Sequence, residues 1–122
     1  MKLRLQGNSL RLRLTRSEVA RFREVGLVEE SVDFGGGEVL TYRLQTHPDP
    51  GPPHAGFLAG GVTVSIARDT AHSWAGSDEV GVYAQAGVLN LSIEKDFRCL
   101  TRPLDERERD AYTHPEELSK RS

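Results

Sequence analysis

Apolar and polar residues alternate in two stretches of the chain that share one pattern. The first is Leu10 to Leu14, LRLRL, which leads into TRSEVARF, and the second is Val62 to Ile66, VTVSI, which leads into ARDTAHSW. Strict alternation predicts a strand with one buried face, and the wider apolar spacing that follows predicts a helix. The chain therefore reads as one strand-and-helix unit used twice.

The match extends beyond these two units. A shift of 52 positions lays Phe22 on Trp74 and Val28 on Val80, and a shift of 49 lays residues 39–44 on residues 88–93. Similarity at a fixed spacing indicates an internal repeat. The alternative is that any two β-α-β-β stretches look alike, because few of the aligned positions are identical. We favour duplication, with a first repeat over about residues 1–46 and a second over about 57–100.

Local signals place the elements of each repeat. Residues 2–6 alternate and are followed by turn residues, which predicts a hairpin with the LRLRL strand. Thr15 and Glu18 have the spacing of a capping box, so a helix should begin there and end at Gly26. Its buried side should hold Val19, Phe22 and Val25. Further strands are expected over residues 27–34, 39–44, 80–84 and 88–95, with Gly35-Gly36-Gly37 as a turn and a second, short helix over 68–75.

Composition sets the outer bounds of the fold. The chain has 122 residues, which favours one domain over residues 1–100. Residues 47–56, HPDPGPPHAG, contain four of the six prolines and read as a linker between the repeats. Residues 101–122 are densely charged and read as a loosely packed or disordered tail. The expected fold class is α+β, a small, mostly antiparallel β-barrel or strongly twisted sheet built from two β-α-β-β repeats.

The overall charge favours neither nucleic acid nor an anionic membrane as a partner, since the formal net charge is −2. Cys99 is the single cysteine, so an intramolecular disulfide is excluded and a reducing compartment is expected. The sequence contains neither a secretory signal pattern nor an apolar run of the ~20 residues that span a bilayer. These features predict a cytoplasmic protein that does not enter a membrane.

Two resemblances rest on specific stretches. Residues 62–94, VTVSIARDTAHSWAGSDEVGVYAQAGVLNLSIE, resemble the AbrB-type swapped-hairpin module, in which a strand, a short helix, a GDEV-like strand and a last strand follow in this order. Thr15 and Ala67 stand where that module usually has proline. The likeness implies a cradle-loop-like barrel made by two halves of one chain, and it does not transfer DNA binding. The whole chain is also similar to a small bacterial family of unknown function that opens MK-x-R-x-x-GNS-x-RLRL and ends IEKDF-x-CL.

A basic cluster is the first candidate site. Residues 1–23 hold seven basic residues against Glu18 alone, while the remainder of the chain holds 17 acidic and nine basic residues. Four of the basic side chains are predicted on the same outer face of two adjacent strands, where they could bind phosphates. They are Lys2, Arg4, Arg11 and Arg13. The alternative, which we favour, is that Glu29, Ser31 and Asp33 on a nearby strand neutralise them, because adjacent like charges are destabilising.

The histidines offer a second candidate. His47, Asp49 and His54 have side chains that can bind a metal, but their spacing matches no compact ligand pattern, so we interpret the segment as a solvated linker. His72 is expected on the exposed face of the second helix, and His114 lies in the tail. No metal or cofactor is predicted.

The stretch from Glu94 to Cys99, EKDFRC, is the third candidate, because it gathers carboxylates, an amine and a thiol. Strand alternation would turn Ile93 and Phe97 inward and Glu94, Asp96 and Arg98 outward, as in any terminal strand of a barrel. Cys99 is then a buried packing thiol.

No pattern of catalytic residues emerges from these candidates. The prediction is a non-enzymatic binding or interaction module whose partner is another protein. The alternative is nucleic-acid binding through the basic N-terminal hairpin.

Overall fold

The structure is a computed structural model that describes residues 1–97. Within these residues, eight strands and two helices follow one another. In chain order they are β1 (Lys2–Gln6), β2 (Ser9–Leu14), α1 (Arg16–Val25), β3 (Leu27–Gly35), β4 (Glu38–His47), β5 (His54–Leu58), β6 (Gly61–Ala67), α2 (Arg68–Ala75), β7 (Gly81–Ala86) and β8 (Leu89–Lys95). Neither helix in this part of the chain is long and apolar enough to cross a membrane.

Helix α1 begins and ends as its sequence predicts. The backbone N–H of Thr15 donates to Glu18 Oε1 at 2.9 Å, and the Thr15 hydroxyl accepts from the Glu18 backbone, which completes the capping box. Gly26 ends the helix with φ of 82°, a left-handed conformation that suits glycine. Helix α2 has no side-chain cap at Ala67. It has eight residues, two fewer than the ten of α1.

The strands form two four-stranded sheets, each of which takes one hairpin from each half of the chain. The first sheet has the order β1-β2-β8-β7 and the second has the order β3-β4-β6-β5. Within each sheet the two hairpins meet through a parallel pair, β2 with β8 and β4 with β6, and the other pairs are antiparallel. The fold is therefore α+β and mostly antiparallel, with the two halves exchanging hairpins.

A closed barrel, one of the two predicted forms, is not what these strands build. The sheets face each other, but no ladder joins β1 to β3 or β5 to β7 in the described part of the chain. At the first seam the amino group of Met1 contacts Glu30 of β3, and at the second β5 lies against β7. Isolated contacts thus lie at the two seams where backbone ladders would be needed to close a barrel.

The two halves have matching strand registers. Leu5 pairs with Leu10 in the first sheet, and Phe57 pairs with Val62, each 52 positions later, in the second. The predicted alignment of Val28 with Val80 is wrong by two positions, because Val28 pairs with Leu44 whereas Val82, not Val80, pairs with Ile93. The helix is shorter in the second half, but a longer connection from Gly76 to β7 more than compensates.

The core lies between the two sheets and is closed at one end by the helices. Phe22 and Trp74, which occupy the same position along α1 and α2, are both fully buried. Their rings meet edge to face with centroids 6.3 Å apart. We expected each ring to pack its helix onto its own half. The contact between the two rings was not predicted. Val25, predicted on the buried side of α1, is 60% exposed.

The predicted linker, residues 47–56, overlaps strands on both sides. β4 continues through His47, and β5 begins at His54, so only residues 48–53 connect them. The prolines suppressed the strand signal of β5, which pairs with β6 as β1 pairs with β2. The predicted tail, residues 101–122, lies outside the described residues.

Candidate binding surfaces

The four predicted basic side chains come together on the outer face of the first sheet. Lys2 lies opposite Arg13 and Arg4 lies opposite Arg11 across the β1–β2 hairpin. We call these four residues the basic face. Arg4 also donates to the amide oxygen of Gln6 at 3.0 Å.

Counter-charges reach the basic face from β8 and from Asp96, the residue that follows it. Glu94 accepts from Nε of Arg11 at 3.3 Å and lies 3.6 Å from Nε of Arg13, while Asp96 pairs with Lys2 at 3.0 Å. The neutralisation that we favoured is partial, because three of the four cations have a carboxylate partner but Arg11 and Arg13 share the single charge of Glu94. Its predicted source was wrong, because β3 belongs to the other sheet.

The three residues predicted as counter-charges have partners within the second sheet. Glu29 pairs with Arg43 at 3.0 Å. The Ser31 hydroxyl is hydrogen-bonded to that of Thr41, and Asp33 accepts from the backbone N–H of Gly35. All three therefore stabilise the β3–β4 hairpin rather than the basic face.

Glu94 has a third partner in Tyr83 of β7. The phenol donates to Glu94 at 2.7 Å, and burial together with this carboxylate raises the pKa of Tyr83 to about 12. The ring lies over Gly81, where an added Cβ would come within 2.7 Å of the phenol oxygen and 2.8 Å of the carbonyl of Ile93. Glycine at position 81 thus allows Tyr83 to reach Glu94.

The same positions in the second sheet are neutral. Gln45 stands in β4 where β8 has Glu94, and it donates to the hydroxyl of Ser65, which stands where β2 has Arg13. The charged network is therefore confined to one of the two otherwise similar sheets.

A polar cluster at the helix end joins the seam between β1 and β3. The Met1 amino group pairs with the carboxylates of Glu18 and Glu30, and the phenol of Tyr42 donates to Glu30 at 3.0 Å. Burial and the Glu30 carboxylate raise the pKa of Tyr42 to about 12. Burial alone would raise the pKa of Glu18, but hydrogen bonds from the amino group and the Thr15 backbone outweigh it and lower this pKa overall.

The histidines of the predicted linker lie close together at the ends of two strands. The rings of His47 and His54 are 5.4 Å apart and tilted by 30°. Nε2 of His47 is buried without a hydrogen-bond partner within the described residues. Over residues 1–97 no group of three or more His, Cys, Asp or Glu side chains could hold a metal ion, and Asp49 does not complete one. His72 is exposed on α2, as expected.

The end of β8 departs from simple alternation. Lys95 and Asp96 are both buried, although we predicted Asp96 on the outer face. The Lys95 ammonium donates to the carbonyl of Ser77 at 2.6 Å and lies 5.8 Å from the centre of the Trp74 ring. Burial lowers the pKa of Lys95, against the charges of Asp78 and Glu79. Arg98 and Cys99 lie outside the described residues.

A cavity lies at the end of the molecule opposite the helices, which we call the open end. It has a volume of about 430 Å³. Four positions of the first half line it together with the four matching positions of the second half, and Gly56 completes the lining. The matched positions are Leu3 and Ala55, Leu5 and Phe57, Leu10 and Val62, and Leu40 and Leu89. We call it the open-end pocket.

The β3–β4 hairpin extends beyond the second sheet at the same end. β4 pairs with β6 only from Thr41 onward, so residues 32–40 project as an arm. The arm exposes Val32, Phe34 and Val39, and Phe34 is 68% exposed. Leu40 contributes both to the open-end pocket and to a shallow cavity between the arm and Gly60.

Comparison with known proteins places the chain in a family. The model of the family of unknown function DUF7009 matches residues 1–116, nearly the whole sequence. The chain belongs to the DUF7009 family. No curated protein and no solved structure matches it. Membership in DUF7009 agrees with the predicted resemblance to a small family of unknown function, and it assigns no activity to the residues described above.

Sequence reasoning found the basic face but missed the open-end pocket. Most of its lining residues were interpreted only as the buried sides of strands, and Ala55 and Gly56 were assigned to the linker. The signal that could have found it is the alignment of Leu5 with Phe57, because both lie near the end of a strand, next to a turn. Apolar residues at the mouths of two matched hairpins indicate a shared apolar surface.

Proposed function

We propose that this DUF7009 protein is a non-enzymatic interaction module that binds an extended segment of another protein along the outer edge of β3. The observation that carries the proposal is the arm, residues 32–40, with its exposed apolar side chains. β3 is nine residues long and lies at the edge of its sheet. No described strand is hydrogen-bonded to its outer side, and past the seam where Met1 contacts Glu30 this edge continues into the arm. Proteins usually protect the long edge strands of their sheets against pairing with another chain. An unprotected edge strand favours the addition of a partner strand.

The charge of the arm indicates the chemistry of the partner. Between residues 31 and 40 the charged side chains are Asp33 and Glu38, and both are exposed. Val32 and Phe34 alternate with Asp33 along the strand. A complementary segment would therefore alternate apolar residues with lysine or arginine.

Two features support a binding role over catalysis. A cavity of about 220 Å³ lies beside Phe97 and Val80. The polar groups that line it are engaged in pairs, Arg13 with Glu94 and Lys95 with the carbonyl of Ser77. The open-end pocket has an apolar lining. A catalytic site would need convergent polar groups that can reach a substrate.

The nucleic-acid alternative has weaker support. Glu94 and Asp96 lie among the four cations of the basic face and would repel a phosphate backbone. Lys2 and Arg13 are about half exposed, so part of the positive charge still faces solvent.

The matching registers of the two halves also support internal duplication. Pairs such as Leu5–Leu10 and Phe57–Val62, or Leu10–Leu91 and Val62–Tyr42, are related by the same shifts of 52 and 49 positions. Under this hypothesis the arm is an elaboration of the first half alone, since the matching hairpin of β7 and β8 has shorter strands, six and seven residues against nine and ten.

Labelled synthetic peptides test the proposed function. Ten-residue peptides that alternate valine with lysine, or valine with glutamate, would be titrated against the protein and followed by fluorescence anisotropy. We expect the basic peptide to bind at least about tenfold more tightly than the acidic one. A basic peptide with a central proline should bind weakly, because proline removes a backbone donor.

Variants locate the binding. Phe34→Ser and Asp33→Lys should each weaken binding of the basic peptide, whereas Val25→Ser, which removes an equally exposed apolar residue at the helix end, should not. Equal binding of the basic and acidic peptides, no binding of either, or insensitivity to the central proline would contradict the proposal.

A further inference from the structure

We infer that the open-end pocket is a binding site for one small, uncharged apolar molecule. The site is distinct from the outer edge of β3 and does not depend on it. It is built by the two halves together, because each lining position of the first half has its counterpart from the second. Leu10 and Val62 form a buried floor, and Leu5 and Phe57 stand at the rim, 63% and 72% exposed.

The lining defines the class of ligand. Among residues 1–97, all nine that line the pocket are apolar or glycine. A charged or hydrogen-bonding group placed among them would lose its hydration without gaining a partner. The part of the ligand inside must therefore be aliphatic or aromatic, and any polar group must remain at the mouth.

The size and access of the pocket fit a small molecule. Its volume of about 430 Å³ lies within the ~300–1,000 Å³ range of small-molecule sites. The helices close the opposite end, where Phe22 and Trp74 are fully buried, and the exposed side chains of Leu5 and Phe57 stand where the pocket meets solvent. Water inside the pocket would lack hydrogen-bond partners, so an apolar ligand would displace only weakly bound water.

The two halves differ at one position that shapes the pocket. Leu3 lines it on the first half, and Ala55 stands at the matching place on the second. The smaller alanine leaves space on its side. Exchanging the two residue types therefore offers a paired test, in which Ala55→Leu fills the pocket and Leu3→Ala enlarges it.

The probe is N-phenyl-1-naphthylamine, an uncharged dye that fluoresces in apolar surroundings, titrated into the full chain. We expect one saturable site. Ala55→Leu should weaken dye binding by about tenfold or more, whereas Leu3→Ala should retain it. Leu58→Ser is the matched control, because Leu58 is 83% exposed at the same end but does not line the pocket. Circular dichroism and thermal melting would confirm that each variant is folded.

A second measurement does not depend on any variant. Methyl resonances of Leu3, Leu10, Val62 and Leu89 should shift on dye addition in the parent protein, whereas those of Leu12 and Leu14 near the helices should not. Absence of saturable binding, unchanged affinity in folded Ala55→Leu, or shifts confined to other methyl groups would overturn the inference. So would loss of dye binding with increasing protein concentration, because a second copy would then occupy the pocket.

Discussion

Ala59 is the one non-glycine residue with positive φ among the described residues, at 51°. It lies in the turn between β5 and β6, where the matching turn of the first half has Gly7, also with positive φ. A Cβ in this conformation costs roughly 1 kcal/mol relative to glycine. The second half thus holds a turn whose residue does not suit its backbone.

Replacing this residue should stabilise the protein. We expect Ala59→Gly to raise the free energy of unfolding by about 0.5–1 kcal/mol, measured by urea denaturation. Ala20→Gly is the control, because Ala20 is exposed on α1 and the same replacement in a helix should lower stability by a similar amount. A decrease in stability for Ala59→Gly would contradict the argument from strain.

Glu18 links the cap of α1 to the amino group of Met1. Because its pKa in the folded protein is below the ordinary value of 4.5, its contribution to stability is fully present above that pH and is lost as the pH falls below it. Glu18→Gln should lower the free energy of unfolding at pH 7 by about 1 kcal/mol.

The same substitution should flatten the dependence of stability on pH below about 4.5. Denaturation at a series of pH values measures this, with Glu24→Gln as the control, since Glu24 is exposed on the same helix. A parallel acid loss in the parent and Glu18→Gln would show that other groups dominate it.

At the scale of elements, the two helices meet through Phe22 and Trp74. Each is fully buried, so Phe22→Ala or Trp74→Ala should cost about 3–5 kcal/mol of stability. The milder Phe22→Leu and Trp74→Leu form a double-mutant cycle that isolates the ring contact. We expect a coupling energy of about 0.5–1.5 kcal/mol from urea denaturation, and strictly additive losses would contradict a direct interaction.

The basic face of the first sheet is the surface to test for nucleic-acid binding. Since Glu94 and Asp96 oppose the basic face, we expect no binding to labelled DNA or RNA tighter than the ~10⁻⁴ to 10⁻⁶ M of non-specific contacts. Fluorescence titration at several salt concentrations checks this beside Arg11→Glu/Arg13→Glu and Glu94→Gln. Submicromolar binding that weakens steeply with salt and disappears in the folded double variant would favour the nucleic-acid alternative.

At the scale of the whole molecule, the exchange of hairpins makes the halves interdependent. Each half contributes one hairpin to each sheet, and an isolated hairpin is at best marginally stable in water. Separate fragments of residues 1–50 and 51–122 should therefore be largely unfolded alone and regain native circular dichroism when mixed in equal amounts. A fragment that folds by itself as a monomer would contradict this account.

The local signals of the sequence determined much of the fold. Alternation predicted which face of β2 and β6 is buried, and Thr15, Glu18 and Gly26 predicted the bounds of α1, because these features depend on contacts within a few residues. The repeat also predicted that both halves share the order strand, helix, strand, strand. The same local reasoning failed at β5. The prolines that precede this short strand led us to assign its first residues to a linker.

Tertiary structure alone decided which strands became neighbours. Alternation shows which face of a strand is buried, but not which distant strand lies beside it. The parallel pairing of β2 with β8 places Glu94 beside Arg13 and leaves Glu29 in the other sheet, so the basic face has a different counter-charge from the predicted one. The open-end pocket likewise exists because two hairpins, far apart in sequence, face each other across a gap that their side chains do not fill.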